Sequence, residues 1–268
     1  MTPPEKATPL LSVNRLTVQF PNADAPVVDR VSFSIDRGST LALVGESGAG
    51  KSITGLAIQR LIPNPGRITA GRIYWKGMDL LTLPEARMRK IRGGEIGTVW
   101  QEPSSVMNPA IKVGRQIAEV VKVHTGVSAK EAKRKAIELL DHVGISDAAN
   151  RYHSYPAELS GGMLQRVVIA AAIVCRPDLL IADEATTALD ASVQRQVLEL
   201  IADLQSEIGM AILFVTHNLA LVAEMADRVA VMRYGQIVES GSVLDLFENP
   251  NSEYTRELLE ASPNLLAV

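Results

Sequence analysis

Short apolar runs alternate with longer stretches of helical periodicity along this chain. Leu11–Phe20 alternates in character and Val31–Ile35 is apolar at every second residue, which predicts strands of a small antiparallel sheet. Thr40–Val44 is a continuous apolar run that ends at a glycine, as buried strands of parallel sheets do. Similar runs recur at Leu179–Ala182, Ala211–Val215 and Val229–Met232. This alternation predicts an α/β fold with a largely parallel sheet.

The segment between residues 101 and 177 has helical periodicity instead. Ser128 and Glu131 have the spacing of a capping box, which predicts a helix that Gly144 ends. The apolar residues of this helix share one face: Ala132, Ala136, Leu139, Leu140 and Val143.

A further helix is predicted from Ala191 to about Ile208, with Gly209 beyond its end. Its predicted inward face comprises Val193, Val197, Leu200, Ile201 and Leu204. We therefore predict one domain with three parts: an α/β core with a β subdomain (10–100 and 177–245), a helical subdomain (101–176) and a short C-terminal extension (246–268).

Composition and charge narrow the classes of function. The chain has 268 residues, 47% of them hydrophobic, so it can bury a sizeable core without disulfides. Its 27 Lys and Arg against 30 Asp and Glu give a net charge of −3, and we expect no nucleic-acid partner. Cys175 is the single cysteine, which fits a reducing, cytosolic compartment.

No apolar run approaches the roughly 20 residues of a membrane span, and residues 1–11 lack a signal-peptide core. We expect a soluble chain, or one attached to membranes through a partner.

Gly45–Ser52 reads GESGAGKS and matches G-x-x-x-x-G-K-[ST] between a predicted strand and a predicted helix. Glycines let successive backbone N–H groups turn towards phosphate oxygens, and the helix N-terminus adds a positive dipole end. Lys51 is expected to neutralise the β- and γ-phosphates and Ser52 to ligate Mg²⁺. The alternative is a glycine turn with an incidental lysine.

Polar residues follow several of the predicted strands. Asp183 and Glu184 end an apolar strand, where Asp183 suits a Mg²⁺ shell and Glu184 could deprotonate an attacking water. The alternative is a solvated acidic turn. Gln101 and His217 each follow an apolar strand as well, and structural hydrogen bonding is the alternative for both.

Ser160, Gly161 and Gly162 precede the apolar run Val167–Cys175, which predicts a buried helix. A hydroxyl, backbone N–H groups and a dipole end form a second candidate anion site, and an N-capping turn is the alternative. Two such loops for one nucleotide suggest that the second serves the nucleotide of another subunit.

Together these motifs resemble the ATP-binding cassette (ABC) ATPases over nearly the whole chain. The matching segments are GESGAGKS at Gly45–Ser52, WQEP around Gln101, LSGGMLQR at Leu159–Arg166, LLIADE at Leu179–Glu184, TALD at Thr187–Asp190 and THN around His217. The resemblance implies a P-loop NTPase (RecA-like) core with a small antiparallel β subdomain and an inserted helical subdomain. It also implies ATP and Mg²⁺ as ligands and a head-to-tail dimer with two ATP molecules between its subunits.

The resemblance implies a role for each matched residue. Glu184 is the general base, His217 contacts the γ-phosphate, and Gln101 reaches Mg²⁺ and the attacking water. Ser52 and Asp183 also serve the metal, and Asp190 belongs to a loop that crosses the dimer interface. Phe20 aligns with an aromatic residue that stacks on adenine, with packing in a core as the alternative. The implied ATP-binding residues are Gly45, Glu46, Ser47, Gly48, Ala49, Gly50, Lys51 and Ser52 and, for the ATP bound to the partner, Ser160, Gly161 and Gly162.

A closer resemblance is to the ATP-binding subunits of dipeptide, oligopeptide and nickel importers. It rests on the WQEPSSVMNP stretch, on Tyr155-Pro156 and on Glu253-Tyr254-Thr255. It implies an ATPase that powers a bacterial inner-membrane importer of peptides or a related small solute, bound peripherally at the cytoplasmic face. The implied partners are a second ABC ATPase (a related chain or an identical one), two transmembrane permease subunits and, indirectly, a periplasmic or external solute-binding protein. Asn108–Pro109 is the candidate coupling surface, with a solvated loop as the alternative.

Ala185 departs from the family, which usually has proline after the catalytic glutamate. This is the one hint of a regulatory module that binds ATP but hardly hydrolyses it, whereas the intact Glu184, His217 and Gln101 favour hydrolysis. A soluble ABC ATPase that acts on nucleic acid or ribosomes is a further alternative. Such proteins commonly carry two cassettes or a long coiled-coil insertion, and the sequence contains neither. The cargo stays open between peptide, nickel and opine types.

Overall fold

The computed structural model describes residues 8–21, 23–185 and 190–261. The strands there are β1 (Leu11–Gln19), β2 (Val28–Ile35), β3 (Thr40–Val44), β4 (Arg67–Trp75), β5 (Met78–Asp79), β6 (Ile96–Val99), β7 (Leu179–Asp183), β8 (Ala211–Thr216), β9 (Arg228–Arg233) and β10 (Gln236–Ser242). The α-helices are α1 (Lys51–Ile58), α2 (Glu85–Ile91), α3 (Pro103–Val106), α4 (Val113–Thr125), α5 (Ala129–His142), α6 (Ala148–Arg151), α7 (Gly161–Ile173), α8 (Ala191–Ile208), α9 (Leu219–Met225), α10 (Val243–Glu248) and α11 (Glu253–Glu260). Short 3₁₀ turns lie at Leu80–Thr82 and Pro156–Glu158. Of the TALD motif, Thr187 to Leu189 lie outside the described residues.

The chain divides into two compact units. The first comprises the described parts of Met1–Met88 and Ala211–Val268, and the second is Arg89–Met210. The helices α3 to α7 of the predicted helical subdomain fall within the second unit. The predicted subdomain limits at 101 and 176 stay a prediction.

The first unit contains two sets of strands. β1 pairs antiparallel with β2 and β4, and β5 pairs with β4, which is the small antiparallel sheet that the alternation predicts. β3 lies between β8 and β9 and runs parallel to both, while β10 pairs antiparallel with β9. Every residue of β3 and β8 is buried, which explains why both strands are apolar apart from one terminal threonine each. The α/β fold with parallel strands is therefore confirmed.

The second unit combines a parallel strand pair with helices. β6 and β7 pair in parallel, from Ile96 opposite Leu179 to Val99 opposite Ala182. α5 begins after Ser128, whose hydroxyl accepts a hydrogen bond from the Glu131 amide at 3.3 Å, while the Glu131 carboxylate binds Arg134. The predicted buried helix is confirmed as α7, which is buried over most of its length, but it begins at Gly161 and ends at Ile173 and so starts and ends before the predicted run Val167–Cys175.

The helix α8 has the bounds that the sequence predicts, Ala191–Ile208, and Gly209 follows it in a left-handed conformation. Its inward face differs in part from the prediction. Val197, Leu198, Ile201 and Leu204 are buried, whereas Val193 and Leu200 are only half-buried. The predicted inward face omits Leu198 and includes Leu200, so the buried stripe lies closer to Leu198 than the prediction places it.

In the part of the chain that the structure describes, no helix combines the length and the apolar character that crossing a bilayer requires.

Candidate functional site

The loop from Gly45 to Gly50 joins β3 to α1. It requires glycine at Gly45 and Gly50, where the backbone of another segment lies too close for a side chain. Gly45 has φ of +149° and Gly50, at the start of α1, has φ of +99°, both in the region that favours glycine. A Cβ atom at Gly45 would overlap the carbonyl oxygen of Met232, and one at Gly50 would overlap that of Val27. The backbone of the first unit therefore presses against this loop and holds its shape.

Lys51 places a positive charge inside the loop. The side chain is only 5% exposed, and its Nζ donates hydrogen bonds to the carbonyl oxygens of Gly45 at 2.8 Å and Glu46 at 2.9 Å. Burial of an ammonium group is costly unless hydrogen-bond acceptors surround it, and here the loop backbone supplies them. The result is a fixed cation among backbone groups, which suits phosphate binding.

The start of α1 has the features of an anion site. Its first turn contains no acidic residue, and Ser52 is exposed there. Glu46, Ser47 and Gly48 are exposed as well, so ligands can reach the loop from solvent. The positive end of the α1 dipole lies where the loop meets the helix.

His217 shares a sheet edge with this loop. In the parallel pair of β3 and β8, Val44 lies opposite Thr216, so that Gly45 and His217 are the next residues of the two strands. His217 is exposed, and its neighbour Asn218 caps α9 by accepting a hydrogen bond from the Ala220 amide at 3.0 Å. The register therefore places His217 beside the loop Gly45–Gly50, named the phosphate loop from here on. Contact of His217 with a γ-phosphate stays a prediction.

Phe20 follows β1 and is half-buried. Its ring lies where a side chain at residue 66 would be, since a Cβ at Gly66 would come within 2.6 Å of Phe20 Cζ. This contact corresponds to the packing alternative. Stacking of Phe20 on adenine stays a prediction.

Gln101, Asp183 and Glu184 come together in the second unit. Val99 lies opposite Ala182, and two residues further along each strand the Gln101 Nε2 donates a hydrogen bond to Glu184 Oε2 at 2.9 Å. Asp183 is 7% exposed, and Glu184 has φ of +46°, a conformation that non-glycine residues adopt mainly where the surroundings impose it. This carboxylate pair is ordered by its strand and by Gln101, unlike a loose acidic turn.

Ser160 begins α7 as its N-cap, because its hydroxyl accepts a hydrogen bond from the Met163 amide at 3.3 Å. Ser160 and Gly161 are exposed, while a Cβ at Gly162 would lie within 2.8 Å of Val193 Cγ1 on α8. The capping alternative is thus realised. Contact with a nucleotide bound to another subunit stays a prediction.

Asp190 is the N-cap of α8. Its Oδ1 accepts hydrogen bonds from the Ser192 amide at 3.1 Å, the Ser192 hydroxyl at 2.7 Å and the Val193 amide at 3.0 Å. The hydrogen bonds from Val193 and then Ser192 hold the pKa of this carboxyl below its ordinary value. Its predicted place in a dimer interface stays a prediction.

Ser52 and Asp183 are both oxygen donors, the type of ligand that Mg²⁺ prefers. Among the described residues, no group of three or more His, Cys, Asp or Glu side chains is arranged to hold a metal ion. Mg²⁺ typically uses one or two carboxylates together with substrate phosphates and water. Ser52 belongs to the first unit and Asp183 to the second, and their shared role at a metal stays a prediction.

One contact at the phosphate loop has no signal in the sequence. The Tyr254 hydroxyl accepts a hydrogen bond from the Glu46 amide at 3.2 Å, across 208 residues of chain. Glu253-Tyr254-Thr255 is a mark of the importer resemblance, but neither its periodicity nor its composition indicates what Tyr254 touches.

Known proteins share both the sequence and the fold. The family described as ABC transporter matches residues 28–187. The oligopeptide transport ATP-binding protein OppD of Bacillus subtilis is 49% identical over 263 residues, which cover 97% of this chain and 74% of that protein. The dipeptide transport ATP-binding protein DppD of Escherichia coli is 47% identical over 256 residues, covering 95% of this chain and 78% of DppD.

A solved structure of the ATP-binding cassette MJ0796, a dimer in a post-hydrolysis state bound to ADP and Pi, has the same fold. Its TM-score is 0.77 at 24% identity, and the match covers 87% of this chain and 98% of that one. The family match spans more than half of the chain, and the two transport proteins are similar over nearly all of it. The chain therefore belongs to the ABC transporter family.

Proposed function

We propose that this chain is the ATP-hydrolysing subunit that powers an ABC importer of peptides or a related small solute. The observation that carries the proposal is the loop Gly45–Gly50, which is closed around the buried Lys51 and leads into the N-terminus of α1. Similarity to OppD and DppD over more than nine-tenths of the chain supports the transport role and the peptide class of cargo.

Nucleotide binding is assigned to the first unit. Lys51 and the loop Gly45–Ser52 hold the β- and γ-phosphates, with the Glu46 amide held by Tyr254 and the Ala49 amide by the Glu46 carbonyl instead of by phosphate. Phe20 stacks on the adenine. Ser52, Gln101 and Asp183 are the proposed protein ligands of Mg²⁺, which would neutralise phosphate charge when it is bound.

Hydrolysis is assigned to Glu184, Gln101 and His217. Glu184 accepts a proton from the attacking water, whose oxygen forms a bond to the γ-phosphorus as the bond to the bridging oxygen of ADP breaks. Gln101 orients the Glu184 carboxylate through its hydrogen bond at 2.9 Å. His217 donates a hydrogen bond to a γ-phosphate oxygen, and ADP and phosphate leave as products.

The proposed working form is a dimer of ABC ATPases with a related second chain, or with an identical one. Ser160, Gly161 and Gly162 then contact the γ-phosphate bound to the partner, and Asp190 lies in the interface. The MJ0796 cassette, a dimer, supports this assembly.

Coupling to two transmembrane permease subunits is assigned to the Asn108–Pro109 turn, with the ATPase bound peripherally at the cytoplasmic face of the bacterial inner membrane. The turn is exposed, and Gln116 fastens it to α4. The Gln116 Oε1 accepts a hydrogen bond from the Asn108 amide at 2.9 Å, and its Nε2 donates to the Asn108 carbonyl at 3.0 Å. An exposed turn with a fixed shape can transmit force to a docked helix. A solute-binding protein outside the membrane would act through the permeases.

Reconstitution tests the proposal. The tagged chain is purified from detergent-solubilised native membranes, and proteins that accompany it are identified by mass spectrometry. We expect two polytopic membrane proteins and a second ABC ATPase, and we expect the complex in liposomes to take up a labelled peptide only with ATP. The Lys51→Ala variant should abolish uptake. Recovery of ribosomal or DNA-bound proteins without permeases would favour the soluble-ATPase alternative, which the similarity to OppD and DppD disfavours.

A further inference from the structure

The C-terminal helix α11 reaches the phosphate loop through one side chain. Tyr254, in the first turn of α11, is 3% exposed, and its hydroxyl accepts a hydrogen bond from the Glu46 amide at 3.2 Å. This residue lies well outside the segment 28–187 that matches the ABC transporter family. The contact therefore belongs to a part of the chain that follows the family core.

The peptide group between Gly45 and Glu46 is held at both of its ends. Its N–H donates to Tyr254 at 3.2 Å, and its carbonyl oxygen accepts from Lys51 Nζ at 2.8 Å. The next carbonyl, that of Glu46, accepts from Lys51 Nζ at 2.9 Å and from the Ala49 amide at 3.2 Å. A rotation of the first peptide group would move the acceptor of Lys51 and the start of the loop together.

The surroundings of Tyr254 fix its hydroxyl in place. The side chain belongs to the same buried cluster as Val44, the last residue of β3 before the loop, and the Arg233 guanidinium lies 4.4 Å from the ring centroid. Glu239 on β10 secures the start of α11 by accepting hydrogen bonds from the amides of Asn251 at 2.8 Å and Ser252 at 3.0 Å. Burial raises the pKa of the Tyr254 phenol, so the neutral hydroxyl persists at physiological pH.

We propose that Tyr254 is a positioning residue for nucleotide binding, which acts through the Gly45–Glu46 peptide group to preorganise the phosphate loop around Lys51. Tyr254 does not touch the nucleotide in this scheme. The inference rests on the proposed role of the loop as the ATP site. It gives the C-terminal helix a function in the ATPase cycle beyond packing.

The Tyr254→Phe variant tests this role, because it keeps the buried ring and removes only the acceptor. We expect the affinity for ADP, measured by calorimetric titration of the full chain, to fall about three- to tenfold, the effect of one neutral hydrogen bond. We expect KM for ATP to rise by a similar factor while kcat changes by less than about twofold, since a loop formed before binding affects ground state and transition state alike.

Two control variants separate positioning from general destabilisation. Tyr234 is the other tyrosine beside Arg233: its ring centroid lies 5.2 Å from the guanidinium, and Tyr234 is 80% exposed. Tyr234→Phe removes a hydroxyl from this exposed ring. We expect it to bind ADP like the wild type. Leu259→Ala shortens a side chain of α11 that packs against the buried cluster. We expect it to lower the melting temperature and to leave KM unchanged.

The outcomes are distinct. Wild-type affinity and KM in Tyr254→Phe, with binding lost in Lys51→Ala, would overturn the positioning role and leave the ATP site standing. An equal rise of KM in Leu259→Ala would also overturn it, since any weakening of α11 would then suffice. Full ADP affinity in Lys51→Ala would instead refute the proposed ATP site itself.

Discussion

Replacing Glu184 by glutamine separates the chemistry of the proposed base from its structural role. Glutamine keeps the length of the side chain and an acceptor oxygen, so the hydrogen bond from Gln101, 2.9 Å long in the structure, can persist. An amide cannot take a proton from water. The substitution therefore removes basicity and changes the local geometry little.

The two effects differ in magnitude. Exchange of a charge-assisted hydrogen bond for a neutral one at this partly exposed pair lowers the free energy of unfolding by about 1 kcal/mol or less. The melting temperature then falls by a few degrees at most. Loss of a general base lowers turnover by about 10²- to 10⁴-fold, which corresponds to about 2.7–5.4 kcal/mol in the activation barrier.

The assay combines steady-state phosphate release, ADP titration and thermal melting on the full chain. Glu199→Gln, the same exchange at an exposed position of α8, is the control and should behave like the wild type. If Glu184→Gln hydrolysed ATP at the wild-type rate with nucleotide affinity intact, Glu184 would not be the base. If it lost nucleotide affinity together with its melting temperature, the side chain would have a structural role instead.

Three other substitutions test separate features. Gly50→Ala should lower the free energy of unfolding by about 2 kcal/mol or more in urea titrations, because backbone strain at positive φ and overlap with the Val27 carbonyl both destabilise the variant. Gly48→Ala, which has positive φ but open space around it, should lower the free energy of unfolding by about 1 kcal/mol. Asp190→Ala should lower the melting temperature at neutral pH. This deficit should shrink below about pH 3.8, the ordinary value, because the folded pKa is depressed and the stabilisation disappears as pH falls through it. Gln116→Ala should reduce co-purification of permease subunits, with ATP hydrolysis by the isolated chain unchanged; normal recovery of the permeases would contradict the coupling role.

Much of the α/β core could be predicted because burial on both faces imposes an unmistakable pattern. Thr40–Val44 is apolar after its first residue and forms β3 with those bounds, and the cap Asp190 and the terminal Gly209 delimit α8. The strand β4 gave no such signal. Of its nine residues, only two are buried, and the others are exposed or half-buried. Its apolar residues therefore do not alternate regularly with polar ones, as they do in a strand with one buried face.

Contacts between side chains distant in sequence could not be predicted from the pattern. The loop motif identifies Lys51 and Ser52, yet nothing local indicates that Tyr254 holds the Glu46 amide or that Gln116 fastens the Asn108 turn. Such contacts depend on where strand order and helix packing carry each segment. For the same reason the sequence does not indicate that the Phe20 ring lies against Gly66, and stacking of Phe20 on adenine stays a prediction.

Strand register explains why short motifs far apart in sequence locate the candidate residues so well. Residues opposite each other in a parallel pair are followed by residues at the same sheet edge, so the distance from the strand end determines which side chains meet. Gly45 and His217 are both first residues after the paired Val44 and Thr216, and Gln101 and Glu184 are both second residues after the paired Val99 and Ala182. Because a strand advances about 3.3 Å per residue and reverses face at each step, a shift of one residue in either strand would separate these pairs. The apolar strands thus do more than fill the core, since their packed register sets the positions of the proposed base and of its glutamine partner.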